Sequence, residues 1–340
     1  MSALRIALLG GDGVGPEVVS AVAPLLAVLE PDVETVELAM GFGCFEREGH
    51  ALPPATIEGL RSCRGALFGA VGSPSHPVSG YRSPLLEVRR TFELFANLRP
   101  LVSMPGDGTI DAVVVRENTE GLYSGRERLE GEGDEAVAVA ERVVSVRATE
   151  RIVRAAATLA RERLEQGRNA RLTIVHKANV LRTSDGLFRE TALRVASDFP
   201  ELQVEEQLVD SMAYRLVLEP ERYGVIVASN LYGDVLSDLG AALVGGLGVV
   251  PSANVGDRFV LAEPVHGSAP DLAGRGLANP IATARALAML LERLERLAGA
   301  RTLDRAIERV LLEGPRTPDL GGSATTREVA HCLLSLVERT

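Results

Sequence analysis

The sequence predicts an α/β fold, and two observations predict it. Short apolar runs of strand character alternate along the chain with longer segments whose apolar residues recur at helical spacing. Polar residues gather where those runs end, at Arg116, at His176 with Lys177, at Asp210 and at Asn230 to Asp234. The carboxyl ends of strands are where α/β sheets place ligands. A chain of 340 residues is long enough for two domains, or for one large one, with a sizeable core.

Leu4 to Leu9 reads as a buried first strand. It enters the turn Gly10-Gly11-Asp12-Gly13-Val14-Gly15-Pro16-Glu17 and then a helix, Val18 to Leu29. Pro16 suits the first helical position, and Glu17 suits the first turn, where the helix dipole favours an acid. No G-x-G-x-x-G can be written across the turn, so the Rossmann fingerprint is absent. The glycines serve either a tight strand-to-helix turn or a phosphate contact. Gly65 to Val71 is a second buried strand, and it empties into Gly72 to Ser83, a loop rich in Ser, Pro and Gly. The helix after it, Leu85 to Phe95, carries Arg89 and Arg90.

Asp111 to Arg116 is the next strand and leads into the segment Arg116 to Tyr123. Gly125 to Asp134 is charged and punctuated by glycine, which suggests a hairpin excursion with Ala136 to Arg147 as its returning strand. A long helix covers Glu150 to Gln166. Strand Arg171 to His176, helix Asp185 to Ser197 and strand Val204 to Val209 follow, the last ending at Asp210. Tyr223 to Ser229 feeds a helix from Asn230, with Val235, Leu236, Leu239 and Leu243 as its apolar stripe. Beyond lie the loop His266 to Pro280, helices Pro280 to Ala298 and Leu303 to Glu313, the turn-rich Pro315 to Thr326, and a last helix.

The formal net charge of −10 argues against a general nucleic-acid binder. The longest apolar run, Leu239 to Val250, falls short of the roughly 20 residues a membrane span needs. No signal-like segment precedes the first strand, so no membrane partner is expected. Cys44, Cys63 and Cys332 have no CxxC spacing and no disulfide framework, which fits a reducing cytoplasm.

Asp234 and Asp238 are four residues apart, so both carboxylates leave one helix face. Such a pair is either a solvated acidic turn or half of a site for a hard divalent cation. Arg89, Arg99 and Arg116 either make surface ion pairs or clamp carboxylates in bidentate fashion. Lys177 is either a solvated loop lysine or a proton-transfer group, and Tyr123 either a core-edge tyrosine or a proton-transfer group.

Six motifs in order carry a resemblance over Gly10 to about Thr326. They are Gly11-Asp12-Gly13-Val14-Gly15-Pro16-Glu17, Phe95-Ala96-Asn97-Leu98-Arg99-Pro100, Arg116 to Tyr123, Lys177-Ala178-Asn179-Val180, Asn230 to Asp238, and His266-Gly267-Ser268-Ala269-Pro270-Asp271. Together the chain resembles the β-decarboxylating dehydrogenases, the family of isocitrate, 3-isopropylmalate, homoisocitrate and tartrate dehydrogenases. The resemblance implies an isocitrate/isopropylmalate dehydrogenase-like fold, two α/β domains around a shared sheet and not a Rossmann fold. Residues 1–98 with 249–340 would form a cofactor-binding domain. Residues 99–248 would form a substrate, metal and dimerisation domain, with an inter-subunit arm at about 124–147.

The same resemblance implies hydride transfer from the 2-hydroxyl of a malate-like acid to a nicotinamide, followed by loss of CO₂. Arg89, Arg99 and Arg116 match the carboxylate binders. Asp234 and Asp238, with Asp210 of the other subunit, match the Mg²⁺ or Mn²⁺ ligands. Lys177, from the neighbouring subunit, matches the general base, Tyr123 the acid that protonates the enol, and Asn179 a residue near the nicotinamide and substrate. Glu263, His266, Gly267, Ser268, Ala269 and Asn279 match the cofactor pocket. Asp271 matches the residue facing the adenosine ribose, which implies NAD because an acid repels a 2′-phosphate. The family is dimeric with shared active sites, as a homodimer or a dimer of dimers.

The variable group of the substrate is expected against Ser73 to Leu86. Leu85-Leu86 looks like the isopropylmalate members, whereas Arg82 and Ser83 suit a third carboxylate. His76 is either a contact to that carboxylate or a plain loop histidine. Tyr81 to Pro84, Val115 to Tyr123 and Arg316 to Thr326 look most like the homoisocitrate members, so a hydroxy-tricarboxylate is expected. 3-Isopropylmalate is the alternative acid. A non-catalytic regulatory subunit is the minor alternative, disfavoured because Lys177, Tyr123, Asp210, Asp234 and Asp238 are all kept.

Overall fold

A computed structural model describes residues 4–76, 78–106, 108 and 110–339. Met1 to Ala3 ahead of the first strand, and Pro77 of the Gly72 to Ser83 loop, lie outside the described residues. The chain divides into two compact units. One comprises Met1–Leu94, Ser103–Gly108 and Ala241–Thr340, and the other Phe95–Val102 and Thr109–Gly240.

The first unit begins with β1 (Arg5–Gly11), α1 (Gly15–Leu29), β2 (Glu34–Leu38), α2 (Phe42–Glu48), α3 (Pro54–Arg61), β3 (Gly65–Ala70) and α4 (Pro84–Thr91). The chain then builds the second unit. Its elements are β4 (Ala96–Val102), β5 (Asp111–Glu117), β6 (Glu127–Glu130), β7 (Val137–Ala140), α5 (Val146–Glu165), β8 (Leu172–His176), α6 (Ser184–Ala196), β9 (Val204–Leu208), α7 (Val209–Leu218), β10 (Val225–Ala228) and α8 (Asn230–Leu243). The first unit is completed by β11 (Pro251–Val255), β12 (Val260–Pro264), α9 (Ile281–Arg293), α10 (Leu297–Glu313) and α11 (Thr326–Val337).

In the first unit the strands run in the order β2-β1-β3-β12-β11. All neighbours are parallel except β11 against β12. The apolar runs of β1 and β3 are buried on both faces, as central parallel strands covered by helices must be. Their side chains Leu9 and Phe68 join Met40, Leu60, Val88, Leu94 and Phe259 in one core cluster. Each such fully buried side chain contributes about 2 kcal/mol. In the second unit the order is β4-β5-β10-β8-β9, with only β4 antiparallel to its neighbour. Neither order is that of the doubly wound dinucleotide fold.

Several expected boundaries move. The helix read over Leu85 to Phe95 ends at Thr91, where Glu93 adopts φ 48°, and Ala96 already starts β4. Pro100 within β4 weakened the strand signal there. The returning strand read to Arg147 stops at Ala140, because Ser145 accepts from Ala148 N at 3.2 Å and caps α5. The break between α9 and α10 falls at Leu294 to Arg296, where Glu295 turns to φ 62°. β2, α2, α3, β4, α7, β11 and β12 were not anticipated. Val235 is exposed rather than part of the apolar stripe of α8. The buried face there is Gly233, Leu236, Ser237, Gly240 and Ala241, at three- and four-residue spacing. Among the described residues no helix is long and apolar enough to cross a membrane, and Cys44, Cys63 and Cys332 are free thiols.

Candidate active site

In the second unit, β4, β5 and α8 bring four charged side chains and one tyrosine to a single point. Arg99 stands on β4 and Arg116 at the end of β5, both buried. Arg116 Nη1 donates to Asp234 Oδ1, and Arg99 Nη1 lies 3.1 Å from the same oxygen. Arg99 also reaches Asp238 Oδ1 at 3.3 Å. The Tyr123 hydroxyl donates to Asp234 Oδ2 at 2.5 Å, with the Arg116 guanidinium 5.0 Å from the centre of its ring. Gly233 permits this approach, since a Cβ there would lie 2.7 Å from Arg116 Cβ. Two cations and two anions therefore share one site, each side chain on a regular element or just beyond one.

The electrostatics follow from that arrangement. Burial, and then the Asp234 carboxylate, push the Tyr123 phenol above its ordinary value, so it keeps its proton. Partial desolvation raises the Asp238 carboxyl. Arg99 opposes the rise and the neighbouring Asp234 adds to it. A divalent cation would remove the like-charge part of that penalty, and carboxylate oxygens are the donors that Mg²⁺ and Mn²⁺ prefer. The Asp pair thus fits a hard cation. Among the described residues no three His, Cys, Asp or Glu side chains of one chain converge as a metal set. Asp210 stands instead in the first turn of α7 and accepts from Lys177 Nζ, which lowers its pKa.

Lys177 follows β8 and is held by its backbone. Its N–H donates to Asp185 Oδ2 at 2.6 Å, and the next N–H, of Ala178, donates to His176 Nδ1 at 3.2 Å. His176 is therefore a buried structural histidine, its Nε2 facing Glu206 Oε2 at 3.6 Å. Asn179 is exposed. The surface of this unit carries exposed Val180, Tyr214, Leu218 and Val235, and Leu129 and Val137 on the β6–β7 hairpin.

The first unit holds a second cluster and a pocket. Arg89, buried on α4, donates from Nε to Asn254 Oδ1 at 2.9 Å and from Nη2 to Glu263 Oε1 at 3.2 Å. Asn254 Nδ2 donates to the same Glu263 oxygen at 2.7 Å. Glu263 is thus a partner of Arg89. The pocket, about 190 Å³ and open to solvent, is lined by His266, Ala269, Leu272, Leu277, Asn279 and Asp319 among others. Burial lowers the pKa of His266, against the hydrogen bond it makes with Gly267 O, so the ring is neutral near pH 7.

The glycine turn after β1 builds one wall of this pocket. Val14 N donates to Ser268 O at 2.9 Å. A Cβ on Gly13, at φ 60°, would sit 1.9 Å from that oxygen. Asp12 is consumed by the backbone, accepting from the N–H groups of Phe42, Gly43 and Gly72 at 2.7 to 2.9 Å. Glu17 accepts from Gly276 N, Ala278 N and the Thr326 hydroxyl. Asp271 is exposed on a short turn, and its neighbour Leu272 lines the pocket. Gly267 is exposed.

In the loop ahead of α4, Ser73, His76 and Arg82 are exposed, and Ser83 caps α4 by accepting from Leu86 N at 3.5 Å. Tyr81 closes the loop. Its hydroxyl donates to Gly72 O at 3.0 Å, and its ring meets Phe42 and Phe45 edge-on at 5.3 and 5.4 Å.

A family model described as Isocitrate/isopropylmalate dehydrogenase matches residues 5–333. The chain belongs to that family. It is similar to the isocitrate/homoisocitrate dehydrogenase of Thermus thermophilus, at 46% identity over 99% of both chains. It is similar also to the 3-isopropylmalate dehydrogenase of Methanothermobacter thermautotrophicus, at 42% identity over 97% of both. The crystal structure of isocitrate dehydrogenase from Methylococcus capsulatus superposes with a TM-score of 0.92 at 36% identity, covering 98% of this chain and 99% of that one. The protein is a β-decarboxylating dehydrogenase acting on a small hydroxy acid, with the isocitrate/isopropylmalate dehydrogenase fold.

Within this dehydrogenase, sequence reasoning missed the residues that aim the charged ones. Asn97 and Ser237 hold Arg99 at 2.8 and 2.7 Å, and Asn230 Oδ1 accepts from Arg116 Nε and Nη2 at 3.1 and 2.8 Å. A signal for Asn97 existed, because residues two apart on a strand share a face. Asp319, which accepts from Asn279 Nδ2 at 2.9 Å and lines the pocket, lies 40 residues from it in sequence and gave no local sign.

Proposed function

We propose that the chain is a homoisocitrate dehydrogenase. It oxidises homoisocitrate with NAD to 2-oxoadipate and CO₂, in the α-aminoadipate route to lysine, and accepts isocitrate as a second substrate. The observation that carries the reading is the Asp234 carboxylate, shared by two buried arginines and the Tyr123 hydroxyl. That point joins carboxylate-binding cations, a retained proton and an acid able to hold a metal ion.

Arg99 and Arg116 bind the malate carboxylates of the substrate, and Arg89 adds a third cation. Asp234 and Asp238, with Asp210 contributed by a second copy of the chain, hold Mg²⁺ or Mn²⁺. When bound, the cation supplies polarisation of the substrate's 2-oxygen, and NAD supplies the hydride acceptor. Lys177, contributed with Asp210 by the second copy, takes the hydroxyl proton, and Tyr123 returns a proton to the carbon that loses CO₂. Asn179 orients the nicotinamide end.

The larger unit binds the cofactor at His266 to Asp271, Glu263 and Asn279. The apolar walls at Leu272 and Leu277 and the polar edge at Asn279 suit an adenine. Asp271 accepts from the ribose hydroxyls and repels a 2′-phosphate. The smaller unit binds substrate and metal and forms a homodimer. Its exposed apolar residues Tyr214, Leu218 and Val235 and its hairpin support that assembly.

Exposed Arg82 and the Thermus thermophilus relative named isocitrate/homoisocitrate dehydrogenase support a third carboxylate on the substrate. A second reading, 3-isopropylmalate, is favoured by half-buried Leu85 and Leu86 and by the relatives named for that acid. Comparing kcat/KM for homoisocitrate, isocitrate and 3-isopropylmalate decides between them. A clear preference for 3-isopropylmalate overturns the first reading.

A further inference from the structure

We propose that Arg142 is a positioning residue for Lys177, fixing the backbone of that lysine and the start of α8 with one guanidinium. The inference rests on the reading of Lys177 as the base. Arg142 lies between β7 and α5, beside the bridge that joins Val143 to Gly121. Its Nη1 pairs with Asp185, a carboxylate with no exposed surface in the first turn of α6. Its Nη2 donates to Ser229 Oγ at 2.8 Å, and its guanidinium carbon lies 4.7 Å from the centre of the Tyr232 ring.

The far oxygen of Asp185 is the one that accepts the Lys177 N–H, at 2.6 Å. Two connections therefore leave Arg142. One passes through Asp185 to the Lys177 backbone. The other passes through Ser229 and Tyr232 to the helix that carries Asp234 and Asp238. Only a planar fork with several donors serves both at once, so lysine is not an equivalent.

Removing the guanidinium leaves a buried carboxylate without its counter-charge. Asp185 then takes a proton or turns from its place, and the Lys177 N–H loses its acceptor. A displacement of about 1 Å at the base slows turnover on the order of 100-fold without touching the groups that bind the acid. Neutralising both partners removes the uncompensated charge, because the amide introduced by Asp185→Asn still offers an oxygen to the Lys177 N–H.

The test compares Arg142→Gln, the double variant Arg142→Gln/Asp185→Asn, Arg142→Lys and Lys177→Met in the full-length protein. Turnover and KM are read with saturating Mg²⁺ and NAD, and backbone amide exchange is read by mass spectrometry without either. Arg142→Gln is expected to lower kcat about 100-fold with KM for the acid within about threefold. Exchange should quicken at 177–182 and stay unchanged in β1 and β3. The double variant should regain at least tenfold of the lost kcat, and Arg142→Lys should not. Unchanged kcat and exchange in folded Arg142→Gln overturns the proposal, and so does faster exchange throughout the chain with no rescue. If Arg142→Gln does not fold, Arg142→Lys is held to the same kcat and exchange criteria. Wild-type turnover in Lys177→Met would remove the base reading, which the amide exchange of the Arg142 variants does not depend on.

Discussion

The Tyr123 hydroxyl donates to one oxygen of Asp234 while the Arg116 guanidinium holds the other. A phenol in that position is kept neutral by its burial and by the carboxylate it faces, so it stays a proton donor at pH values where a free tyrosine begins to ionise. Tyr123→Phe is expected to lower kcat by about 10²- to 10³-fold, the range of one general acid. The alkaline limb of the wild-type rate below about pH 10, where a free tyrosine titrates, should not belong to Tyr123. A Tyr123→Phe profile with a missing alkaline limb in that range contradicts the assignment.

Arg89 and Glu263 form a buried pair braced by Asn254. Arg89→Met should cost about 3 kcal/mol of stability, because it strands a buried carboxylate. Adding Glu263→Met should restore most of that loss in urea unfolding while leaving turnover impaired. Recovery of turnover in the double variant would show that Arg89 acts only as a structural counter-ion.

His176 is pushed below its ordinary value of 6.5 by burial, with Glu206 opposing and Arg189 and Asp185 close by. The folded state therefore holds fewer protons than the unfolded chain once the pH falls below the unfolded value. The stability that neutral His176 contributes is present above about pH 6.5 and is lost as the pH drops through its lowered folded pKa. His176→Gln should flatten that part of a plot of thermal midpoint against pH. An identical slope in both proteins rules out His176 as its source.

Gly13 lies at φ 60° against the Ser268 carbonyl. Gly13→Ala strains a left-handed backbone position and forces the Ser268 backbone to move away from the new Cβ. Because the turn forms a wall of the pocket, KM for NAD should rise about tenfold while KM for the acid stays the same. An unchanged KM for NAD in a folded variant separates the turn from cofactor binding.

Asp271→Lys with Leu272→Tyr should move the coenzyme preference toward NADP, measured as the ratio of kcat/KM values. Excess chelator should stop turnover, and Mg²⁺ or Mn²⁺ should restore it. Full turnover in the chelator would remove Asp234 and Asp238 from metal binding.

Arg116, Lys177, Asp210 and Asp234 were legible because each stands at the end of a strand or in the first turns of the element after it, whereas Arg99 lies within β4 and Arg89 and Asp238 within helices. Their supports were not legible, since Asn97, Asn230 and Ser237 are common polar types whose function depends on what faces them. The hairpin was foreseen from its glycines, whereas α5 began earlier than its pattern suggested because Ser145 caps it. β11 and β12 escaped notice because they are short and lie in a Gly- and Pro-rich stretch. Asp12 and Glu17 accept from backbone N–H groups across a loop and more than 250 residues away, partners that no local pattern reveals.

Glu17 ties together backbone separated from it by 259 and 261 residues and a hydroxyl separated by 309. The wall of the pocket at Ala278 is thus fastened to the first helix only after Thr326 has been made. Synthesis from the N-terminus completes the second unit, with its paired aspartates, before this fastening is available. Contacts of such long sequence separation form late, because loop closure must come before their reward. A chain emerging from the ribosome therefore carries the whole second unit before Glu17 can gather all of its partners, so the turn after β1 receives its last brace only when almost the whole sequence is out.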